Sequence, residues 1–408
     1  MDPTRTIADL KELRALTADL RGAHREAFTP GWGTARQFLE DKLSDLPLER
    51  RRDEAGNFWA TLRGQSPKCL LIGGHLDSVP NGGWLDGSLN TLAGLEILRR
   101  ISNEFNGRPP VTVRLVDWAD EEGTRFGKSL FGSSACAGIL NLDEVRHLTD
   151  REGISLPDAL RSVGLDFEKV LESGKELADA AAYIELHIEQ GPILLDLGLP
   201  LASVSGTCGV ERHAITFHGQ TAHSGSTPMN RRKDAFLAAA KMAPEIYRIA
   251  GSHGGVATIG SCTTEPGIVT SVAETCRITL DQRHLEAHSL AAMLADVRAV
   301  AARFATEGGV GVSWERLCQI DPVAFDRRLL DLCDEAILET SGTTHRMPSG
   351  PLHDASAIAR AGIPTVMLFV QSLHGISHNA IEDTREDHIA MAIQALDRLA
   401  SKAMESLI

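Results

Sequence analysis

The chain has no excess of positive charge, no long apolar run and no closely paired cysteines, and each absence removes a class of function. Forty-one Lys and Arg face 55 Asp and Glu, leaving a net charge of -14. With no dense basic stripe to compensate locally, a phosphate backbone is repelled, and nucleic acid is not expected as a partner. No stretch approaches the roughly 20 apolar residues that cross a bilayer, so no membrane partner is expected either. The opening residues MDPTRTIADLKELR lack the apolar core of a signal peptide, and the expected location is the cytoplasm. The seven cysteines, Cys69, Cys136, Cys208, Cys262, Cys276, Cys318 and Cys333, are an odd number with no Cys-x-x-Cys pair. They read as reduced, mostly buried thiols rather than a disulfide framework. Internal repeats and low-complexity tracts are also missing, which excludes a repeat array.

What is present is the composition of an ordinary folded protein: 43% hydrophobic and 24% charged residues over 408 positions, enough for two or three domains. Short apolar runs bounded by Gly or acidic residues recur at Cys69 to Gly74, Val111 to Trp118, Ala182 to His187 and Thr365 to Val370. They read as buried strands of a largely parallel sheet. Helix-period segments lie between them, for example around Leu92, Leu95 and Leu98, and this alternation predicts an α/β layered domain. From about Gly209 to Trp314 the texture changes. A strand (Glu211 to Phe217), a long Ala-rich helix (Asp234 to Ile249), two strands (Val256 to Cys262, Thr275 to Arg283), a helix (Ser289 to Phe304) and a last strand (Gly309 to Trp314) give the order β-α-β-β-α-β of a ferredoxin-like sandwich. The α/β pattern resumes after about Pro322. The expected organisation is therefore a discontinuous main domain, 1–208 and 322–408, with 209–321 inserted.

Fifteen histidines are more informative than the cysteines, because several stand beside carboxylates where strands end. In Gly74-His75-Leu76-Asp77-Ser78-Val79, His75 and Asp77 are two apart and fall on one side of the chain. A metal-binding imidazole needs an orienting group, which Asp77 could supply, leaving Asp86 in Trp84-Leu85-Asp86-Gly87 as a second ligand. The same residues also read as an Asp-Gly turn and a satisfied core histidine. Asp120-Glu121-Glu122-Gly123 follows the strand ending at Trp118. Three adjacent carboxylates are commonly a solvated face, but beyond a strand's carboxyl end one can bind metal while its neighbour faces water. His187 closes a third strand and His378 follows a fourth. Together these nitrogen and oxygen donors suit zinc, manganese, cobalt or nickel.

With Leu186-His187-Ile188-Glu189-Gln190-Gly191-Pro192, Gln220-Thr221-Ala222-His223-Ser224-Gly225 and Gly375-Ile376-Ser377-His378-Asn379 added, the chain resembles the peptidase family M20 hydrolases. It is most similar to their hydantoinase/carbamoylase branch, which holds N-carbamoyl-L-amino acid amidohydrolases, beta-ureidopropionases and allantoate amidohydrolases. The resemblance implies an M20-type metallohydrolase domain with a ferredoxin-like α+β lid that also dimerises the protein. It implies two divalent ions per subunit: His75 and His187 on one, Glu122 and His378 on the other, Asp86 bridging. Glu121 would be the general base, and Asp77 would orient His75. His223 would reach the active site of the partner subunit in a homodimer.

The implied substrate is a small molecule cleaved at a linear C–N bond, with Gln190, Arg283, Thr270, His353 and Trp84 as candidate contacts. Here the chain departs from the pattern. Thr270 stands thirteen residues before Arg283 where relatives carry Asn, Trp84 where they often carry a basic residue, Pro351-Leu352 before His353 where they carry Ala-Gly, and Gln371 where Pro is usual. These changes predict preserved chemistry with altered specificity. Two other readings remain open: an M20 aminoacylase or dipeptidase acting on an ordinary amide, and a non-catalytic metal-binding homologue. The retained Glu121 speaks against the second.

Overall fold

The alternation of side chains along one strand explains how the main sheet is covered. In Ala180–Ile188, Ala182, Ile184, Leu186 and Ile188 enter one core, while Tyr183, Glu185 and His187 are buried on the opposite face. Each fully buried Leu or Ile contributes roughly 1.5–3 kcal/mol relative to exposure. A computed structural model describes residues 1–408, in two compact units, Met1–Gly206 with Phe325–Ile408, and Thr207–Ala324.

In the first unit the strands lie in the order Leu201–Thr207, Thr365–Val370, Ala180–Ile188, Ser66–His75, Val111–Trp118, Phe58–Leu62, Glu49–Arg52. The four from Thr365–Val370 to Val111–Trp118 are mutually parallel, and the outer pairings are antiparallel. Helices Pro3–Thr17, Ser88–Glu104, Arg327–Ser341 and Glu386–Leu407 pack over the Ile184 face. Helix Asp354–Arg360 covers the Glu185 face, where Ala355 N–H donates to Glu185 Oε2 at 3.0 Å. Between these layers Trp118 Nε1 donates to the Tyr183 hydroxyl (3.0 Å), which donates to Glu185 Oε2 (2.6 Å). Gly73 makes room for that chain, because a Cβ there would collide with the Tyr183 ring.

The register places the chemistry. His75 pairs with Trp118, Gly73 with Glu185 and Phe369 with His187, so the four parallel strands deliver their carboxyl ends at one level. The second unit is an antiparallel sheet in the order Val256–Glu265, Thr275–His284, Gly209–His218, Gly311–Ile320. Helices Ala235–His253 and Ala287–Gly308 share its core with Ile215, Phe217, Ile278 and Leu280. No helix in the chain is long and apolar enough to cross a membrane.

Candidate active site

Two groups of donors meet at the strand ends and share one carboxylate. His75, Asp86 and His187 offer ligand atoms within 4.8 Å of one another, and so do Asp86, Glu122 and His378. Asp86 Oδ1 lies 3.1 Å from His187 Nε2 and 3.7 Å from His75 Nε2. Its Oδ2 lies 3.5 Å from His378 Nε2, which is 3.3 Å from Glu122 Oε2. Both inner imidazoles are fixed from behind. His75 Nδ1 is 3.0 Å from the Asp77 carbonyl and His187 Nδ1 2.9 Å from the Ile188 carbonyl, so the proton sits on Nδ1 and Nε2 faces the group. His75 Nε2 and Glu122 Oε1 are buried and have no hydrogen-bond partner. Buried polar atoms are normally satisfied, and a cation held by the group to which each atom belongs would satisfy it. The donor chemistry of each group therefore suits a divalent cation.

Asp77 acts differently from the expected carboxylate–imidazole pair. Its backbone carbonyl orients His75, while its carboxylate stands 3.7 Å from His75 Nδ1. That carboxylate accepts the N–H groups of Glu121 (3.2 Å) and Glu122 (3.1 Å), which fixes the acidic turn. The turn is made by Asp120 at φ +55°, and Gln190 and His378 are also left-handed, at +61° and +54°. Such conformations cost roughly 1–3 kcal/mol each and mark a site held by its surroundings. Glu121 is 7% exposed, with Oε2 3.8 Å from His75 Nε2. Burial, then the charges of Glu122, Asp354, Asp77 and Asp86, push its carboxyl well above the usual range. Burial and Asp86 do the same to Glu122. Burial opposes ionisation of Asp86 too, but His187, His75 and His378 hold it below the ordinary value. Burial pulls His187 down, yet Asp86 and Glu185 outweigh it and raise the imidazole to about 9. Divalent ions would relieve this concentration of negative charge and replace the proton on His187.

Residues 71–402 match the description of peptidase family M20/M25/M40. The chain belongs to this family. It is 33% identical to the N-carbamoyl-L-amino acid amidohydrolase of Geobacillus stearothermophilus over 92% of both chains. It is 31% identical to the allantoate amidohydrolase of Bacillus subtilis (strain 168), over 93% of this chain and 92% of the relative. Among solved structures it resembles a hydantoinase/carbamoylase family amidase from Burkholderia multivorans, with a TM-score of 0.89 and 31% identity over 99% of this chain and 98% of that one.

The other expected contacts of this M20 chain fall in several places. Gln190 Nε2 donates to Asp86 Oδ2 at 2.9 Å, so its amide lies on the shared carboxylate. His353 is 1% exposed and sits behind His187, ring centres 4.4 Å apart, with Nε2 2.9 Å from Ser349 Oγ. Trp84, a candidate substrate contact, is 6% exposed. It belongs to the Ile184-side core, and its Nε1 donates to Asp383 Oδ1 at 3.2 Å. A large apolar ring beside Asp86 gains more from burial than from lining polar space. His223, Thr270 and Arg283 belong to the second unit. There, exposed His223 accepts from Gly225 and Ser226 N–H through Nδ1, the Thr270 carbonyl accepts from Ser224, and Arg283 is held by Asp281 at 2.9 Å. Sequence reasoning missed Glu185 and Glu382. Glu185 shares the buried strand face with His187 and was findable from that two-residue spacing, whereas Glu382 carried no local signal.

Proposed function

We propose that this chain is a dinuclear-metal amidohydrolase that cleaves a linear C–N bond, carbamoyl, ureido or amide, in a small carboxylate-bearing molecule. The observation that carries the reading is the pair of donor groups sharing Asp86 beside the buried carboxylate of Glu121. The relatives named for action on N-carbamoyl-L-amino acids and allantoate support the class of bond, which is not a peptide bond. His75 and His187 would hold one ion, Glu122 and His378 the other, with Asp86 between them; zinc, manganese, cobalt and nickel all suit the donors.

Ions held by these residues would supply a water that ionises near neutral pH and would polarise the scissile carbonyl. Glu121 takes the proton from the attacking water as the C–O bond forms. It returns that proton to the nitrogen as the C–N bond breaks, so the amine leaves neutral. Asp77 holds the backbone of Glu121 and thereby its carboxylate. His223 donates to the oxyanion across a homodimer in which 209–321 serves as lid and interface. Arg283 exchanges Asp281 for the substrate carboxylate, a charge-assisted contact of the same geometry. Thr270 offers one hydroxyl where an amide would offer both donor and acceptor.

Metal-loaded protein assayed against matched N-carbamoyl, ureido and N-acyl amino acids tests the reading. Release of ammonia or a ureido product with little N-acyl cleavage is expected, and Thr270→Asn should shift turnover toward N-carbamoyl-L-amino acids. Preferential N-acyl cleavage would make the enzyme an aminoacylase instead.

A further inference from the structure

The two loops that carry Asp86 and His378 come from distant parts of the chain, and one buried side chain touches both. Glu382 is 2% exposed. Its Oε1 accepts the N–H groups of Leu85 (3.2 Å) and Asp86 (3.1 Å), and its Oε2 is 2.8 Å from the Ser377 hydroxyl, next to His378. Ser377 Oγ is in turn 3.1 Å from Asp86 Oδ2. A Cβ on Gly83 would collide with the Glu382 carboxylate, so the glycine allows the close approach. The neighbouring pair Trp84 and Asp383 ties the same two loops at 3.2 Å.

Resting on the two-metal reading above, we propose that Glu382 is a positioning residue that sets the separation of Asp86 and His378 and so preforms the Asp86–Glu122–His378 metal position. Its oxygens are engaged by two backbone N–H groups and a hydroxyl, which leaves it behind the ligands rather than among them. The role depends on the shape of the group and not on its charge. In Glu382→Gln the amide oxygen can accept both N–H groups, while its NH2 donates to Ser377 and leaves the hydroxyl hydrogen for Asp86.

The test is cobalt binding to chelator-stripped protein, followed by visible absorption and by competition with a chromophoric chelator, with circular dichroism as the check on folding. Glu382→Ala and Gly83→Ala should each weaken cobalt binding about 10–100-fold, the range for groups that orient metal ligands. Glu382→Gln should keep the wild-type affinity and spectrum. Wild-type affinity in Glu382→Ala or Gly83→Ala would overturn the proposal, as would a loss in Glu382→Gln equal to that in Glu382→Ala. If Glu382→Ala fails to fold, Gly83→Ala decides. A wild-type protein that takes up no cobalt would overturn the two-metal reading itself, and this role with it.

Discussion

Asp86 faces His75 and His187 with one oxygen and His378 with the other, so its loss should be felt at both proposed metal positions. Elemental analysis of metal-loaded variants should find neither ion retained in Asp86→Ala, but one retained in His378→Ala, where the His75–His187 pair is intact. Equal losses in the two variants would contradict a shared ligand. Glu121→Gln should keep its metal and its fold yet lose about 100-fold or more in kcat, because an amide can neither take up nor return the water's proton. Near wild-type turnover would assign the base to another group. At this scale the gathering of these donors was legible in the sequence. The strand register brings the ends at His75 and His187 level, and Asp86, Glu122 and His378, in loops beyond strands, gather against them. What was hidden depends on partners that spacing does not encode. The backbone carbonyl of Asp77, not its carboxylate, orients His75, and Glu382 reaches Asp86 across nearly 300 positions of sequence.

The elements are fixed by which faces are covered. Val111–Trp118 and Thr365–Val370 coincide with the apolar runs that predict them, because both faces of these central strands are buried. Gly311–Ile320 runs well past Trp314, where the sequence pattern ended: its outer half, Glu315 to Gln319, alternates little because it is largely exposed. Likewise Ser66–His75 starts before the apolar run, through polar residues at its partly exposed end. Within the central sheet a Cβ on Gly73 would lie 2.0 Å from the Tyr183 hydroxyl oxygen. Gly73→Ala should destabilise the protein by about 1–3 kcal/mol through overpacking, measurable as a lower midpoint in chemical denaturation. An unchanged midpoint would mean that the Trp118–Tyr183–Glu185 chain shifts freely, and that its hydrogen bonds do not set the floor of the site.

For the whole molecule, the proposed use of His223 across subunits requires a second copy. Val256–Glu265 is an edge strand with one neighbour and mostly exposed residues, a place where another edge can add. Sedimentation at micromolar concentration should show a dimer, and a monomer alone would remove the role of His223 across the interface. Paired ions at His75, Asp86, Glu122, His187 and His378 are proposed to enable C–N hydrolysis. The decisive measurement titrates a divalent metal into chelator-stripped protein while following hydrolysis of an N-carbamoyl or ureido substrate. No turnover is expected in the stripped protein, and activity should rise until about two equivalents are bound per chain, as a two-metal site requires. Full turnover by the stripped protein, undiminished by further chelator, would contradict it.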